Sequence, residues 1–157
     1  MDGPRQTVRI RPMVAEDIAQ VMVIANRLRD APHWPVGVYE NMLDPAGRPL
    51  RICLVGENSE AQVVGYAVTV LIPPQGELEA IAVASGWQRR GIGRDLLREL
   101  LTRLKKLDIT EVTLEVRESN QGARTFYQGA GFIEEDRRRG YYADPEEDAI
   151  LLRVEIS

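Results

Sequence analysis

The residues of this chain that could do chemistry, by type and spacing, are concentrated between Val83 and Leu97. The run reads Val83-Ala84-Ser85-Gly86-Trp87-Gln88-Arg89-Arg90-Gly91-Ile92-Gly93-Arg94-Asp95-Leu96-Leu97. An apolar strand pattern runs out, a loop turns, and a long helical pattern begins at the glycines. Backbone N–H groups at a helix start are unpaired and carry partial positive charge, and glycine lets a ligand come close to the backbone, so such a loop can cradle phosphates. Two familiar nucleotide loops fit poorly. A Walker loop would end in Gly-Lys-Ser/Thr, where this chain has Gly93-Arg94-Asp95. A dinucleotide fingerprint would put a third glycine or alanine where Leu96 stands. On backbone grounds alone, a loop that merely packs a helix on a sheet accounts for the glycines equally well.

Other chemistries have little to stand on. Cys53 is the single cysteine, so no internal disulfide or metal spacing can be built from thiols. Its neighbours Ile52, Leu54 and Val55 are apolar, which reads as a buried structural thiol. His33 is the single histidine, and no G-x-S-x-G elbow is present to place a serine nucleophile. No metal site is visible. The net charge of −4 disfavours general nucleic-acid binding, although Arg137-Arg138-Arg139 makes a local basic run that is either a solvated strand end or functional. No apolar run reaches the roughly 20 residues needed to cross a bilayer, so no membrane is expected. Met1 to Arg5 carries no apolar stretch of leader length, and the cytoplasm is the expected location.

The elements that must position these residues follow from hydrophobic period. Thr7 to Arg11 alternates as a half-buried strand. Asp17 to Arg29 places Ile18, Val21, Met22, Ala25 and Leu28 at helical spacing. Val38, Met42 and Leu43 suggest a second short helix closed by Asp44-Pro45. Strands over 51–56 and 63–72, joined by Asn58-Ser59-Glu60, form a hairpin, with Pro73-Pro74 ending the second. Strand 77–84 precedes the strongest helix, 91–106, whose Ile92, Leu96, Leu97, Leu100, Leu101 and Leu104 share one side. Strand 111–117, helix 120–129, a cap or turn glycine at Gly131, and strands 132–138 and 148–156 complete the chain. Helices between strands make an α/β sheet with crossovers. With no repeat, linker or low-complexity block in its 157 residues, the chain reads as one domain, residues 1–157.

The motif Q-x-x-G-x-G followed by two leucines, directly after a strand ending Ile81-Ala82-Val83, resembles the acetyl-CoA loop of the GNAT superfamily of N-acetyltransferases. The resemblance continues through Leu114-Glu115-Val116-Arg117-Glu118-Ser119-Asn120, Ala123, Phe126-Tyr127 and Gly131-Phe132. Arg138-Arg139-Gly140-Tyr141-Tyr142, followed by acidic residues and Asp148-Ala149-Ile150, is similar to the ribosomal-protein-alanine N-acetyltransferases (the RimI type). It covers residues 76 to 156 most fully, 7 to 30 less so, and 31 to 62 least. It implies a single GNAT-like domain, with a mixed central sheet of about six or seven strands flanked by about four helices.

The resemblance also implies roles. The amides of Arg89, Arg90, Gly91, Ile92, Gly93 and Arg94 would hold the CoA pyrophosphate, and Ile81, Ala82 and Val83 would offer backbone groups to the pantetheine arm as an added strand does. Asn120 matches a CoA-contacting position, while local sequence reads it equally as a helix N-cap. Glu115 stands where the RimI type has its base and Tyr127 where it has its acid. Period alone would put Glu115 on a solvent face, opposite Val112, Leu114 and Val116, and the plain alternative for Tyr127 is an ordinary core or interface aromatic. Glu79, on the preceding strand, is the reserve base. Arg137 to Arg139 and Tyr141-Tyr142 would lie near the acceptor channel. His33-Trp34-Pro35 resembles only loosely the family's aromatic-proline stretch, and Trp34 is either a pocket wall or a loop anchor.

The implied reaction moves acetyl from acetyl-CoA directly to a primary amine, with no metal. The implied acceptor is a protein N-terminal α-amine, of the ribosomal-protein-alanine type. An α-amine titrates at about 8 and a lysine at about 10, so the former asks less of its base. A small-molecule amine or a lysine side chain is the alternative, and a non-catalytic acyl-CoA-binding module is the alternative of another class. The expected assembly is a monomer or a homodimer.

Overall fold

The computed structural model describes residues 7–157; the Met1 to Arg5 stretch, read for a leader, lies outside them. The elements in chain order are β1 (Arg9–Pro12), α1 (Ile18–Arg27), α2 (Val36–Leu43), β2 (Arg51–Glu57), β3 (Val63–Ile72), β4 (Gln75–Val83), α3 (Ile92–Lys106), β5 (Glu111–Arg117), α4 (Gln121–Gly129), β6 (Ile133–Tyr142) and β7 (Glu147–Glu155). Seven strands form one mixed sheet in the order β1-β2-β3-β4-β5-β7-β6. Among the described residues its single parallel pairing, β4 with β5, is the one that α3 crosses over.

Apolar patterning covers both sheet faces. Ile92, Leu96, Leu97, Leu100 and Leu104 of α3 are buried against Val112 and Leu114 of β5, with Tyr127, Phe132 and Leu152 in the same cluster. Each such side chain contributes about 1.5–3 kcal/mol by leaving water. On the other face, Val21 and Ile24 of α1 and Tyr39 of α2 pack on Val55, Tyr66 and Val68. Gly65 lets the start of α3 come down onto the sheet. A Cβ there would lie 3.1 Å from the Ala82 carbonyl oxygen and 3.2 Å from a Leu96 methyl.

Strands β3 and β5 occupy the residues that period predicts, and α3 starts one residue later than expected. Pro73-Pro74 does more than end a strand. It is the two-residue turn of a hairpin, with Ile72 paired to Gln75, so β4 begins earlier than read. Strand β6 runs on to Tyr142 because β7 keeps pairing with it past an irregularity, at Tyr142 with Glu147. Gly131 has φ +97° and closes α4 as anticipated: Phe132 N–H donates to Tyr127 O (3.0 Å) and Gly131 N–H to Gln128 O (3.1 Å). At the other end of the chain, Arg11 donates to both Asp17 oxygens (2.7 and 2.8 Å) and to Glu57 (2.8 and 2.9 Å), tying β1 to β2 and to the entry of α1.

Candidate active site

The site begins where a ladder stops. β4 and β5 pair only at Gln75–Glu111, Gly76–Val112 and Glu77–Thr113, yet β4 continues to Val83 and β5 to Arg117. Beyond Thr113 the two strands part. Ile81, Ala82 and Val83 are half-buried on the separated stretch, held from the other side by Ala67, Tyr66 and Gly65 of β3. Their unpaired edge is what an extended ligand needs, because backbone groups left without a partner there are ready to accept an added strand. The carbonyl of Val83 is already taken, by the Gln88 side chain at 3.0 Å. Gln88, noted in the sequence only as part of the motif, braces the loop against the end of β4.

The loop then leaves backbone amides free at the start of a helix. Gly91 has φ +84° and precedes α3; a Cβ on it would meet nothing within 4 Å, so open space lies there. Arg89 also has a positive φ of +64°. The first intrahelical bond runs from Asp95 N–H to Gly91 O (3.0 Å), leaving the amides of Ile92, Gly93 and Arg94 without helical acceptors. Ile92 can serve a ligand only through its backbone, since its side chain is buried in the core. A Cβ on Gly93 would make ordinary contact with the Phe126 ring at 3.6 Å, so packing against α4 does not itself demand glycine there. The Arg90 guanidinium stacks 4.7 Å from the Trp87 ring centre, while Arg89 and Arg94 are exposed. Asn120 is the N-cap of α4, its carboxamide oxygen accepting from Ala123 N–H at 3.1 Å.

Three carboxylates line the same sheet face near the parting of the strands. β4 carries a bulge: Leu78 pairs with Thr69 and Ala80 with Val68, leaving Glu79 over. The bulge reverses the side-chain alternation, so Leu78 joins the core under α3 while Ala80 joins the core under α1 and α2. The reserve base Glu79 is held by Arg51, whose Nε donates to it at 2.7 Å. Glu115 lies two residues past Thr113, the last residue of β5 paired with β4, with its side chain mostly buried and Arg138 Nε 3.2 Å away. Glu77, not singled out in the sequence, is raised in pKa by partial burial and then by the charges of Glu79 and Glu115, with Arg138 opposing. Glu77, Glu115, Glu111, Glu135 and Arg138 share a cleft of about 320 Å³.

Tyr127 belongs to the opposite face. It is 6% exposed, in the cluster that contains Leu114 and Val116, with edge-to-face contacts to Phe126 (5.1 Å) and Phe132 (5.4 Å). Burial raises its hydroxyl pKa well above the ordinary 10.0, which keeps the proton on the oxygen. The reading of Tyr127 as core is therefore correct, and it is compatible with an acid role.

The remaining candidates have ordinary partners. Arg137 bonds Glu118 (2.8 Å) and Asp148 (2.9 Å). Tyr142 lies under the Arg117 guanidinium at 4.3 Å, and Tyr141 under that of Arg138 at 5.5 Å. His33 pairs with the Leu28 carbonyl at 3.1 Å, and Trp34 packs edge-on to Tyr39 at 5.7 Å, anchoring the loop between α1 and α2. Cys53 is buried and its thiol is pushed up to about 11, as a structural thiol would be. Among the described residues, no group of three or more His, Cys, Asp or Glu is arranged to hold a metal ion. Among the same residues, no helix is long and apolar enough to cross a membrane.

A parted strand pair beside a glycine-entered helix N-terminus, with carboxylates on one face and a buried tyrosine on the other, suits a long acyl carrier laid between the strands. The comparisons agree. The model of the acetyltransferase (GNAT) family matches residues 19–132, and the chain belongs to that family. The unpaired edge of β4 and the loop at Gly91 fit acetyl-CoA, the co-substrate that family uses. Over 98 residues the chain is 39% identical to the ribosomal protein bS18-alanine N-acetyltransferase of Escherichia coli strain K12, a match covering 61% of this chain and 66%, just under two thirds, of that relative. Identity to the enzyme of the same description from Haemophilus influenzae is 34% over 122 residues, covering 76% and 80%. The crystal structure of the ribosomal-protein-S18-alanine N-acetyltransferase from Escherichia coli superposes with a TM-score of 0.84 at 29% identity, covering 96% of this chain and 95% of that one.

Proposed function

We propose that this chain is an acetyl-CoA-dependent N-acetyltransferase, that its acceptor is the α-amine of a protein N-terminus, of the ribosomal-protein-alanine type, and that Glu115 and Tyr127 are the base and the acid. The observation that carries this reading is the position of Glu115: a mostly buried carboxylate just beyond the point where β4 and β5 part, on the face that holds the acidic cleft. The names borne by the similar enzymes of Escherichia coli and Haemophilus influenzae support the acceptor class. We place the reaction in the cytoplasm, where nascent and ribosomal proteins are found.

In this reading the pantetheine arm lies along Ile81, Ala82 and Val83, and the pyrophosphate rests on the amides from Arg89 to Arg94. Asn120 adds its amide nitrogen, its oxygen being committed to the cap. The acceptor arrives as an ammonium ion and gives one proton to the Glu115 carboxylate. The free amine attacks the thioester carbonyl carbon, forming the C–N bond. The C–S bond then breaks, and the leaving thiolate takes the Tyr127 hydroxyl proton. The second nitrogen proton, made acidic in the tetrahedral adduct, restores Tyr127, and Glu115 releases its own proton to solvent. Amine cation and thioester thus become amide, thiol and one free proton.

The test is mass spectrometry of a peptide with a free N-terminal alanine and an internal lysine, incubated with the protein and acetyl-CoA. Acetyl on the alanine nitrogen supports the proposal. Acetyl on lysine alone, or release of CoA thiol only with small amines, replaces the acceptor class while leaving the chemistry.

A further inference from the structure

The pairing of Arg138 with Glu115 has features that a purely structural ion pair lacks. Strand β6 departs from β7 just after Arg138: Arg138 pairs with Ala149, and the next paired residue is Tyr142, with Glu147. The intervening Gly140 has φ +61° and donates its N–H to Asp148 at 2.9 Å, which holds the bulge. Arg137 and Arg138 therefore diverge. Arg137 is fastened to Glu118 and Asp148. Arg138 instead crosses β7 to reach Glu115 on β5, placing Nε 3.2 Å from one carboxylate oxygen. The partners are unequal: the Arg138 side chain is 58% exposed and that of Glu115 only 15%. The neighbouring pair of Arg51 and Glu79 is 15% and 22% exposed and closes to 2.7 Å.

Among the described residues, no other cation pairs with Glu115. Of the four carboxylates that line the cleft around it, Glu111 and Glu135 are paired by Arg153 (2.8 and 3.2 Å), while Glu77 and Glu115 face Arg138. Arg138 reaches solvent when it swings away and loses little itself, so the cost of parting falls on the mostly buried Glu115. Replacing Arg138 by another cation keeps the charge of the cleft constant, whereas a neutral molecule would leave Glu115 uncompensated.

We propose that Arg138 is a positioning residue that stands in for the acceptor's ammonium group, holding Glu115 in the free enzyme and giving way only to an acceptor that enters as a cation. This rests on the reading of Glu115 as the carboxylate that meets the acceptor. Selection for a charged primary amine is then built into the exchange. Release follows from the same geometry: the product amide carries no charge, so once Glu115 has lost its proton to solvent, Arg138 returns and the product has nothing to hold it.

The test is a double-mutant cycle on Arg138→Gln and Glu115→Gln, read in the KM and, by calorimetry, the Kd of a peptide with a free N-terminal alanine. Arg138→Gln removes the competitor, so both constants are expected to fall about two- to fivefold, the range of an exposed ion pair. The KM for acetyl-CoA should not move. Arg138→Lys keeps a cation and should restore the wild-type values. In the Glu115→Gln background, Arg138→Gln should have no effect. A rise in peptide KM on Arg138→Gln, or no change, overturns the proposal, as does an equal change in both backgrounds. The kcat of Glu115→Gln alone tests the base: if it stays high, Glu115 is not the base, while the binding cycle still reports on Arg138. If the peptide binds no variant, the acceptor class is wrong, and butylammonium replaces it as the cation in the same cycle.

Discussion

Glu115 and Tyr127 lie on opposite faces of the central sheet. Val112, Leu114 and Val116 turn into the core that contains Tyr127, so the alternating Glu115 turns the other way, toward Arg138 and the acidic cleft. A carrier lying between the parted strands would therefore meet a proton acceptor on one side and a proton donor on the other. This division of labour leads to the first two predictions.

Glu115→Gln should lower kcat by about 10²–10⁴, the usual contribution of a general base. Acetyl-CoA affinity, read by calorimetry, should stay within about twofold, the effect of a charge that makes no phosphate contact. Undiminished turnover would transfer the role to Glu79, whose partner Arg51 would then have to release it.

Tyr127→Phe tests the acid through its pH dependence. Burial raises the Tyr127 pKa above 10.0, so the protonated donor persists through that value. The wild-type kcat profile should accordingly show no alkaline fall belonging to Tyr127 below pH 10. The phenylalanine variant should be slower by about 10²-fold or more across the plateau. An alkaline limb below pH 10 that disappears in the variant would contradict the raised pKa, and an undiminished kcat in the variant would remove Tyr127 as the acid.

Gly91→Val should raise the Kd for acetyl-CoA by about tenfold or more, because a branched side chain at φ +84° strains the backbone by about 1–2 kcal/mol and intrudes on the ligand's approach. No internal clash adds to this, since the space around a Cβ at Gly91 is open. Unaltered binding would show that the phosphates lie elsewhere.

Asn120 separates two roles that the sequence left joined. Asn120→Ala should cost about 1 kcal/mol of stability through the lost cap. Asn120→Asp keeps an oxygen for Ala123 N–H and should preserve the melting temperature. If the amide nitrogen also meets CoA, the aspartate variant should raise the KM for acetyl-CoA without loss of stability. An unchanged KM would leave Asn120 a cap alone.

Asp17 should contribute to acid stability. Hydrogen bonds from Arg11 hold its carboxyl below the ordinary 3.8, against an opposing burial effect and with help from the Val14 N–H. A depressed folded-state pKa gives stability that is complete above the unfolded value and is lost as pH falls through the folded one. Asp17→Asn should therefore cost about 1.5–3 kcal/mol at neutral pH. Urea titrations should show the gap between variant and wild type closing below about pH 4.

What the sequence determined by itself was whatever depends on neighbours along the chain. The leucines of α3 recur at helical spacing, β5 alternates, and Gly131 stands where a helix must end; each has one solution that is local in the backbone, and the structure contains it. The Gln88-to-Leu97 motif was legible for the same reason, because a turn entering a helix N-terminus is a short-range object. Only the tertiary structure decided where β4 and β5 part, that Glu79 is the extra residue of a bulge, and that Gln88 caps the Val83 carbonyl. Only it joined Arg51 to Glu79 and Arg138 to Glu115. Alternation says which residues share a face of one strand. It does not say which strand lies alongside or at what register, and those two facts choose the partner of every charge in the site.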